Sequence, residues 1–113
     1  MPSINKAFLL GHVGHTPKLS QTRSGQQATR VSLATSQTIY RADGTKEQRT
    51  EWHNVVAYGR LAENVCAYVQ KGNLLWVKGE MHMREYVTRD GIQKQLTEVI
   101  ALSLIHISEP TRP

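Results

Sequence analysis

The segment TEWHNVVAYGRLAENVCAYVQKG, residues 50–72, carries a strand pattern followed directly by a helix pattern. Over residues 50–58, both alternating faces hold side chains that favour contact over water. One face has Trp52, Val56 and Tyr58, and the other has His53, Val55 and Ala57. Because successive side chains of a strand point to opposite sides, one face can pack in a core. The other face then leaves a tryptophan and a tyrosine for a second contact.

The second half of the segment has the spacing of a short helix. Leu61, Val65 and the pair Tyr68/Val69 recur every three to four positions, so they line one side of a helix. Gly72 is a suitable C-terminal stop, because glycine readily takes the backbone conformation that ends a helix. We therefore expect a strand over residues 50–58 and a short helix before Gly72.

Four further segments have strand patterns, two on each side of this unit. They are KAFLLGHV (residues 6–13), ATRVSLATS (28–36), NLLWVKGEMHMREYV (73–87) and KQLTEVIA (94–101). Gly11 and Gly14 indicate a bulge or a close backbone approach, and Gly79 predicts a bulge or sharp bend in the long fourth strand. The predicted connections are a loop at HTPKLSQTRSGQQ (15–27), a charged loop with an Asp-Gly turn at YRADGTKEQR (40–49), and a hairpin turn at TRDGIQ (88–93).

The order of these elements predicts the fold. Three strands, one helix and two more strands within about 100 residues indicate an all-β domain, a five-stranded OB-fold Greek-key barrel with one short helix between strands 3 and 4. An SH3-like barrel is the structural alternative. A chain of 113 residues has room for one small domain with a single core.

Composition narrows the partners and the compartment. The 14 Lys and Arg outnumber the 9 Asp and Glu, and the net charge of +5 favours a polyanionic partner: nucleic acid, an anionic membrane or an acidic protein. Cys66, the single cysteine, sits among apolar neighbours and is expected to be a small buried hydrophobe. Apolar runs are shorter than the ~18 residues of a membrane span and than the core of a signal peptide. We expect a cytoplasmic protein.

No catalytic or metal-binding motif is evident in the sequence. The glycines of residues 11–25 lack the Gly-Lys-Ser/Thr ending of a phosphate-binding loop, and paired carboxylates and a nucleophile elbow are missing. His12 and His15 form an HxxH at a strand-to-loop junction, with no Cys or carboxylate near by in sequence to complete a metal site. We therefore expect a binding protein rather than an enzyme, with no metal and no cofactor.

Four stretches carry a resemblance to a known family: SLATS (32–36), RTEWHNVVAYGRLAE (49–63), YVQKGNLLWVKGEM (68–81) and TEV (97–99). Through them, residues 5–101 resemble the bacterial single-stranded DNA-binding protein (SSB) family. The resemblance implies an OB-fold, a homotetramer with a dimer as the alternative, and sequence-independent binding and protection of single-stranded DNA in replication, recombination and repair. It also implies association with the nucleoid. A primosome-type accessory OB protein, an RNA-binding OB domain and a structural oligomerising module remain alternatives.

The resemblance assigns a base-stacking role to several aromatic residues. From composition alone, Trp52 could equally be a buried core residue. The resemblance favours stacking, because Trp52, Tyr58 and Tyr86 match family positions where rings stack on bases. Ile39 stands where the family commonly has a further ring, so the next residue, Tyr40, is the candidate there.

The resemblance also implies roles for basic and interface residues. Candidate phosphate contacts that match basic family positions are Lys6, Arg60, Lys71 and Arg84. Further candidates, chosen for their charge, are Arg30, Arg49, Arg41 and Lys46, the last three in or beside the predicted charged loop. Cations usual in the family are replaced by Ser20, Asn54, His82 and Glu85. His53 resembles a family histidine that supports subunit contact. Trp76 lies in the apolar run LLWV and is expected to be buried in the core or at a subunit interface.

The end of the chain departs from the family pattern. The resemblance implies a long Gly/Pro/Gln-rich linker and an acidic tip that recruits replication and repair proteins, but residues 102–113 read LSLIHISEPTRP. This string is similar to the in-frame translation of a transposon-type sequencing adapter. We therefore predict a single-stranded DNA-binding domain over residues 1–101 and a non-native tail over residues 102–113, without the acidic tip.

Overall fold

Six strands and one helix make up the part of the chain that the computed structural model describes, residues 3–107 for the backbone and 3–105 for the side chains. In chain order they are β1 Ala7–Val13, β2 Ser20–Gln21, β3 Gln27–Tyr40, β4 Lys46–Tyr58, α1 Gly59–Tyr68, β5 Leu74–Val87 and β6 Gln93–Ile107. The predicted helix thus lies between the third and fourth of the five long strands. The two-residue β2 falls inside the predicted loop 15–27, where it pairs with the start of β3.

The five long strands close into a barrel. β1 pairs with both β3 and β5, β5 pairs with β6, and β3 pairs with β4, all antiparallel. A parallel pairing of β4 with β6, at Asn54↔Glu98 through Val56↔Ile100, completes the ring. Closure satisfies backbone groups that an open sheet edge would leave unpaired. The predicted five-stranded OB-fold barrel is confirmed.

The barrel interior is filled by alternating aliphatic side chains. The largest fully buried ones are Leu33, Leu75, Val31, Val55 and Val77. On β4, Val55 and Ala57 point inward while Trp52 and Tyr58 are exposed, as the two-face pattern predicts. Val56 shares the outer face but is nearly buried, since Arg30 and Ile100 flank it on the neighbouring strands.

Helix α1 packs on the barrel through Ala62 and Val65, which confirms the predicted helix. It ends at Tyr68, four residues before the predicted stop, and the inward position of the Tyr68/Val69 pair belongs to Val69. Gly72 instead occupies the following turn with φ +91° and donates its N–H to the carbonyl of Val13 at 2.7 Å. None of the helices in residues 3–107 is long and apolar enough to cross a membrane.

The predicted charged loop at residues 40–49 is wrong, because β3 and β4 continue into a long two-stranded arm. Their pairing runs out to Tyr40↔Lys46, and only residues 41–45 form the turn. Gly44 takes φ +86° there, as the Asp-Gly signal predicts. Outside the barrel both faces of a hairpin meet water, so the arm needs no apolar alternation and its sequence resembles a loop.

A bulge bends the β5–β6 hairpin at the predicted glycine. The register passes from Gly79↔Ala101 to Lys78↔Ser103, which leaves Leu102 on β6 as the extra residue. A Cβ at Gly79 would lie 2.2 Å from the carbonyl oxygen of Ile100, so only glycine fits. The extra residue reverses the inward parity of β6, and Leu104 consequently packs against the core.

Gly11 lies at the close backbone approach that the sequence indicates. Its Cβ would stand 2.2 Å from the carbonyl oxygen of Ala34. Further along the same edge, the Asn5 side-chain amide pairs with the backbone of Met81, donating to its carbonyl at 2.8 Å and accepting its N–H at 3.0 Å. The amide extends the β1–β5 ladder past Gly79, where β5 leaves the barrel.

Candidate nucleic-acid interface

The outer surface of β3, β4, β6 and β5 forms one continuous sheet face, which we call the aromatic face. Cross-strand partners lie on the same side of a sheet, and the row Ser32↔Asn54↔Glu98↔His82 crosses all four strands. Side chains two positions along each strand share this side. The members used below are Arg30, Trp52, Asn54, Val56, Tyr58, Arg84, Tyr86 and Glu98.

Three of the predicted stacking residues are exposed on the aromatic face. The exposed fractions are 62% for Trp52, 36% for Tyr58 and 45% for Tyr86, so each ring can be reached from solvent. Trp52 and Tyr58 are six positions apart on β4, about 20 Å along an extended strand. The rings therefore stand at separate points of one surface.

The Trp52 ring rests on a glycine. A Cβ built on Gly14 would lie 2.4 Å from Cζ3 and 2.9 Å from Cη2 of the indole. The backbone at Gly14 thus supports the indole ring, and the side chain of any other residue would enter the space that the ring occupies. The sequence indicated a close approach at this glycine but did not indicate that Trp52 was the neighbour.

Tyr40 lies at the outer end of the β3–β4 arm, away from the other rings. Its parity matches that of Ala34, which pairs with Trp52, whereas Ile39 points to the other side. The Lys46 Nζ stands 5.6 Å from the centre of the Tyr40 ring, a cation–π arrangement. Tyr40 therefore lies on the same side of the β3–β4 pair as Trp52, about 20 Å from it along the arm.

Two of the predicted phosphate-binding arginines meet on the aromatic face. Arg30 on β3 and Arg84 on β5 both donate from Nη2 to the same oxygen, Oε2 of Glu98, at 2.6 Å and 3.1 Å. Glu98 is only 4% exposed although it belongs to an outer face. The sequence did not indicate this cluster, and the only signal was a carboxylate beside the apolar run VIA.

A groove of about 350 Å³ runs beside this cluster. Tyr58, Arg30 and Arg84 line it, and the hydroxyl-bearing residues Ser20 and Thr22 form part of its wall. A ring for a base and guanidinium groups for a phosphate therefore open into one space. The groove has the components of a nucleotide-sized contact.

The remaining predicted cations lie outside the four strands of the aromatic face or on their other side. Lys6 precedes β1, Arg60 is in the first turn of α1 and Lys71 is in the turn after α1, and all three are exposed. Arg49 is on β4 with the parity opposite to Trp52, in a groove with Glu51, so the structure does not bring it to the aromatic face. Arg41 is paired with Glu47 on the arm.

The predicted interface residues, His53 and Trp76, lie apart from the aromatic face and from each other. His53 points inward from β4 and its Nε2 is hydrogen-bonded to Thr35 Oγ1, 2.8 Å away. Trp76 lies on the outer side of β5, with its ring centre 6.0 Å from that of Phe8. Leu10 on β1 and Ile105 on β6 are its cross-strand partners and flank it with further apolar groups.

Other predicted features have simple local environments. Cys66 is half-buried on α1 rather than fully buried, because it lies at the margin of the face that packs on the barrel. Within residues 3–107, no group of three or more His, Cys, Asp or Glu side chains is placed to hold a metal ion. In the arm, the Thr45 hydroxyl and then its backbone N–H donate to Asp43, which holds the pKa of that carboxyl below its ordinary value.

A closed OB-fold barrel with exposed rings and paired arginines on one face has the surface of an oligonucleotide-binding domain. The chain belongs to the single-strand binding protein family, whose family model matches residues 4–107. This membership agrees with the expectation of a binding protein rather than an enzyme.

The chain is similar in sequence to named single-stranded DNA-binding proteins. It is 41% identical over 98 residues to the single-stranded DNA-binding protein of Xanthomonas axonopodis pv. citri, covering 87% of this chain and 54% of that protein. It is 40% identical over 99 residues to the single-stranded DNA-binding protein of Bacteroides thetaiotaomicron, covering 86% of this chain and 62% of that protein. The chain thus spans less than two thirds of the length of these relatives.

The barrel superposes on solved structures of the same kind. The Plasmodium falciparum SSB in complex with single-stranded DNA matches with a TM-score of 0.87 and 30% identity, covering 96% of this chain and 98% of that one. A deletion mutant of the single-stranded DNA binding protein from Thermus aquaticus matches with a TM-score of 0.80 and 26% identity, covering 93% and 51%.

Proposed function

We propose that this protein binds single-stranded DNA without reading its sequence and protects it during replication, recombination and repair. The observation that carries the proposal is the aromatic face, on which Trp52, Tyr58 and Tyr86 are exposed. The guanidinium groups of Arg30 and Arg84 meet there at Glu98 on β6, the strand between β4 and β5. Family membership and the likeness to an SSB–DNA complex support the same ligand.

In the proposed mechanism, aromatic rings stack on the bases and basic side chains contact the phosphates. Every base offers a π-face, so stacking on Trp52, Tyr58 and Tyr86 tolerates any sequence and contributes ~1–3 kcal/mol per base in the class of OB-folds to which this family belongs. Phosphate contacts at Arg30 and Arg84 add a term that salt weakens, because binding releases counterions from the strand. We expect Lys6, Arg60 and Lys71 to extend the phosphate path beyond the aromatic face, and Tyr40 and Arg49 to contact longer strands.

We further propose that the protein assembles as a homotetramer, with a dimer as the alternative. Support comes from the exposed apolar side chains Phe8, Leu10 and Ile105 around Trp76, because contiguous apolar surface of this kind often marks a protein interface. His53 is proposed to support subunit contact from its hydrogen bond with Thr35. Replication and repair proteins are the proposed protein partners, and a DNA-bound protein of this kind would act in the cytoplasm at the nucleoid.

The boundary between domain and tail remains our prediction. β6 runs past Ala101 to Ile107, and Leu104 packs on the core, so the first residues of the adapter-like tail serve as strand residues. Residues 108–113 of that tail lie outside the described residues. The nucleotide sequence behind residues 102–113 tests the prediction, because codons that differ from the adapter would contradict it.

A fluorescence titration tests the DNA-binding proposal. Poly(dT) added at low salt should quench the tryptophan emission, and an excess of salt should reverse weak binding. Trp76→Phe leaves Trp52 as the remaining tryptophan and should keep the quenching, whereas Trp52→Phe should remove most of it. Absence of binding at low salt, or tighter binding of poly(U) than of poly(dT), would contradict the proposal.

A further inference from the structure

Glu98 is a covered carboxylate at the centre of the aromatic face. By register it lies between Asn54 on β4 and His82 on β5. Arg30 reaches it from one side and Arg84 from the other, and both hydrogen bonds end on Oε2. The Glu98 side chain is 5% exposed, while the two arginine side chains remain 49% and 57% exposed.

This arrangement has an uneven charge balance. A buried carboxylate needs a cation or several donors, since burial without them would be costly. Here two guanidinium groups share one carboxylate, so the cluster retains a net charge of +1. The exposed portions of both arginines open into the groove that Tyr58 also lines.

Building on the proposed binding of single-stranded DNA, we propose that Glu98 is an internal counter-anion that occupies the place of one DNA phosphate on the Arg30–Arg84 pair. The pair then neutralises one phosphate of the strand, next to the base stacked on Tyr58, where two free arginines would neutralise two. Glu98 holds both guanidinium groups at the groove and also lowers the affinity and the salt dependence of the complex. Glu98 thus lowers the affinity for single-stranded DNA without contacting a base.

The charge balance leads to a measurable salt dependence. For single strands, log K falls with log[salt] by a slope of about −0.7 for each neutralised phosphate. Glu98→Gln keeps the shape and removes the charge, so one more phosphate should bind and the slope should become steeper by about 0.7. The gain in affinity over the unmodified protein should then be about 2.6-fold larger at 50 mM than at 200 mM salt.

The experiment measures anisotropy of fluorescein-labelled oligo(dT) with the full chain over a salt series. Glu85→Gln is the matched control, because it makes the same charge change on the same hairpin. Although the family commonly has a cation at this position, Glu85 has the parity opposite to Arg84, so it lies off the aromatic face, and it accepts from Gln93 at 3.0 Å instead of binding an arginine. We expect tighter low-salt binding and a steeper slope for Glu98→Gln, and a much smaller change for Glu85→Gln.

Three results would overturn the inference. They are weaker binding by Glu98→Gln at all salt concentrations, an unchanged or shallower slope, and an equal effect of Glu85→Gln. Thermal unfolding checks that the variants are folded, and Glu98→Met, which is neutral and similar in length, gives a second test of the same slope. If the unmodified chain fails to bind oligo(dT), the proposed function itself has failed, which separates the two outcomes.

Discussion

Replacing Gly14 with alanine tests whether the Trp52 ring is positioned by its support. The added Cβ would lie 2.4 Å from Cζ3 and 2.9 Å from Cη2 of the indole. Ordinary carbon–carbon contact is ~3.5 Å, so the ring must move outward by about 1 Å. Because Trp52 is already 62% exposed, the ring can swing into solvent, and the free energy of unfolding should fall by less than about 1 kcal/mol.

The effect on DNA binding should be larger than the effect on stability. Loss of one stacked base costs ~1–3 kcal/mol in OB-folds of this class, equivalent to about 5- to 150-fold in affinity. A ring displaced by about 1 Å keeps part of its overlap with the base. We therefore expect Gly14→Ala to weaken oligo(dT) binding, but by less than Trp52→Ala does.

A double-mutant cycle measures the coupling between the two positions. Oligo(dT) affinity is compared for the unmodified protein, Gly14→Ala, Trp52→Ala and the double variant, with thermal unfolding as the folding control. If Gly14 acts through Trp52, the alanine should have almost no further effect once the indole is gone. An equal loss in both backgrounds, or no loss in the unmodified protein, would refute the reasoning.

Three further predictions concern the bulge, the apolar surface and the arm. Gly79→Ala should lower the free energy of unfolding by about 1–3 kcal/mol in denaturant titrations, because its Cβ meets the backbone of Ile100; unchanged stability would contradict this. Phe8→Glu should reduce the mass measured by light scattering, because a charge replaces exposed apolar surface; an unchanged assembly would place the interface elsewhere. Thr45→Val should raise the pKa of Asp43 toward its ordinary value in an NMR titration, because the hydroxyl donor is lost. The stability that this bond gives is present above the unfolded pKa of Asp43 and is lost as pH falls through the folded pKa. A pKa of Asp43 that did not rise in Thr45→Val would contradict the assigned cause.

Much of the fold follows from local pattern. Alternation on β4 separated Val55 and Ala57 from Trp52 and Tyr58, because one side of a barrel strand must be apolar. Gly79 and Gly44 lie where their sequence context indicated a bulge and a turn. The arm formed by residues 40–49 was missed, since a hairpin with water on both faces has no apolar period to detect.

Less of the candidate site follows from the sequence. The choice of Trp52, Tyr58 and Tyr86 rested on resemblance together with strand parity, and all three are exposed on one face. Arg49 was a candidate because of its charge and its place at the end of the predicted charged loop, yet the pairing of β4 turns it to the other side of the arm. A list of candidate cations therefore does not specify which of them share a surface.

The sequence by itself determined the order of the five long strands and the helix, and it separated the two faces of β4. These properties depend on neighbours within a few positions along the chain. Only the tertiary structure decided that Arg30 and Arg84 share Glu98, and that Gly14 supports Trp52. Those contacts join residues on different strands, and the parallel closure of β4 on β6 together with the bulge at Gly79 sets which side chains meet. Strand register and closure are long-range properties, so their consequences for the site appear only in the folded barrel.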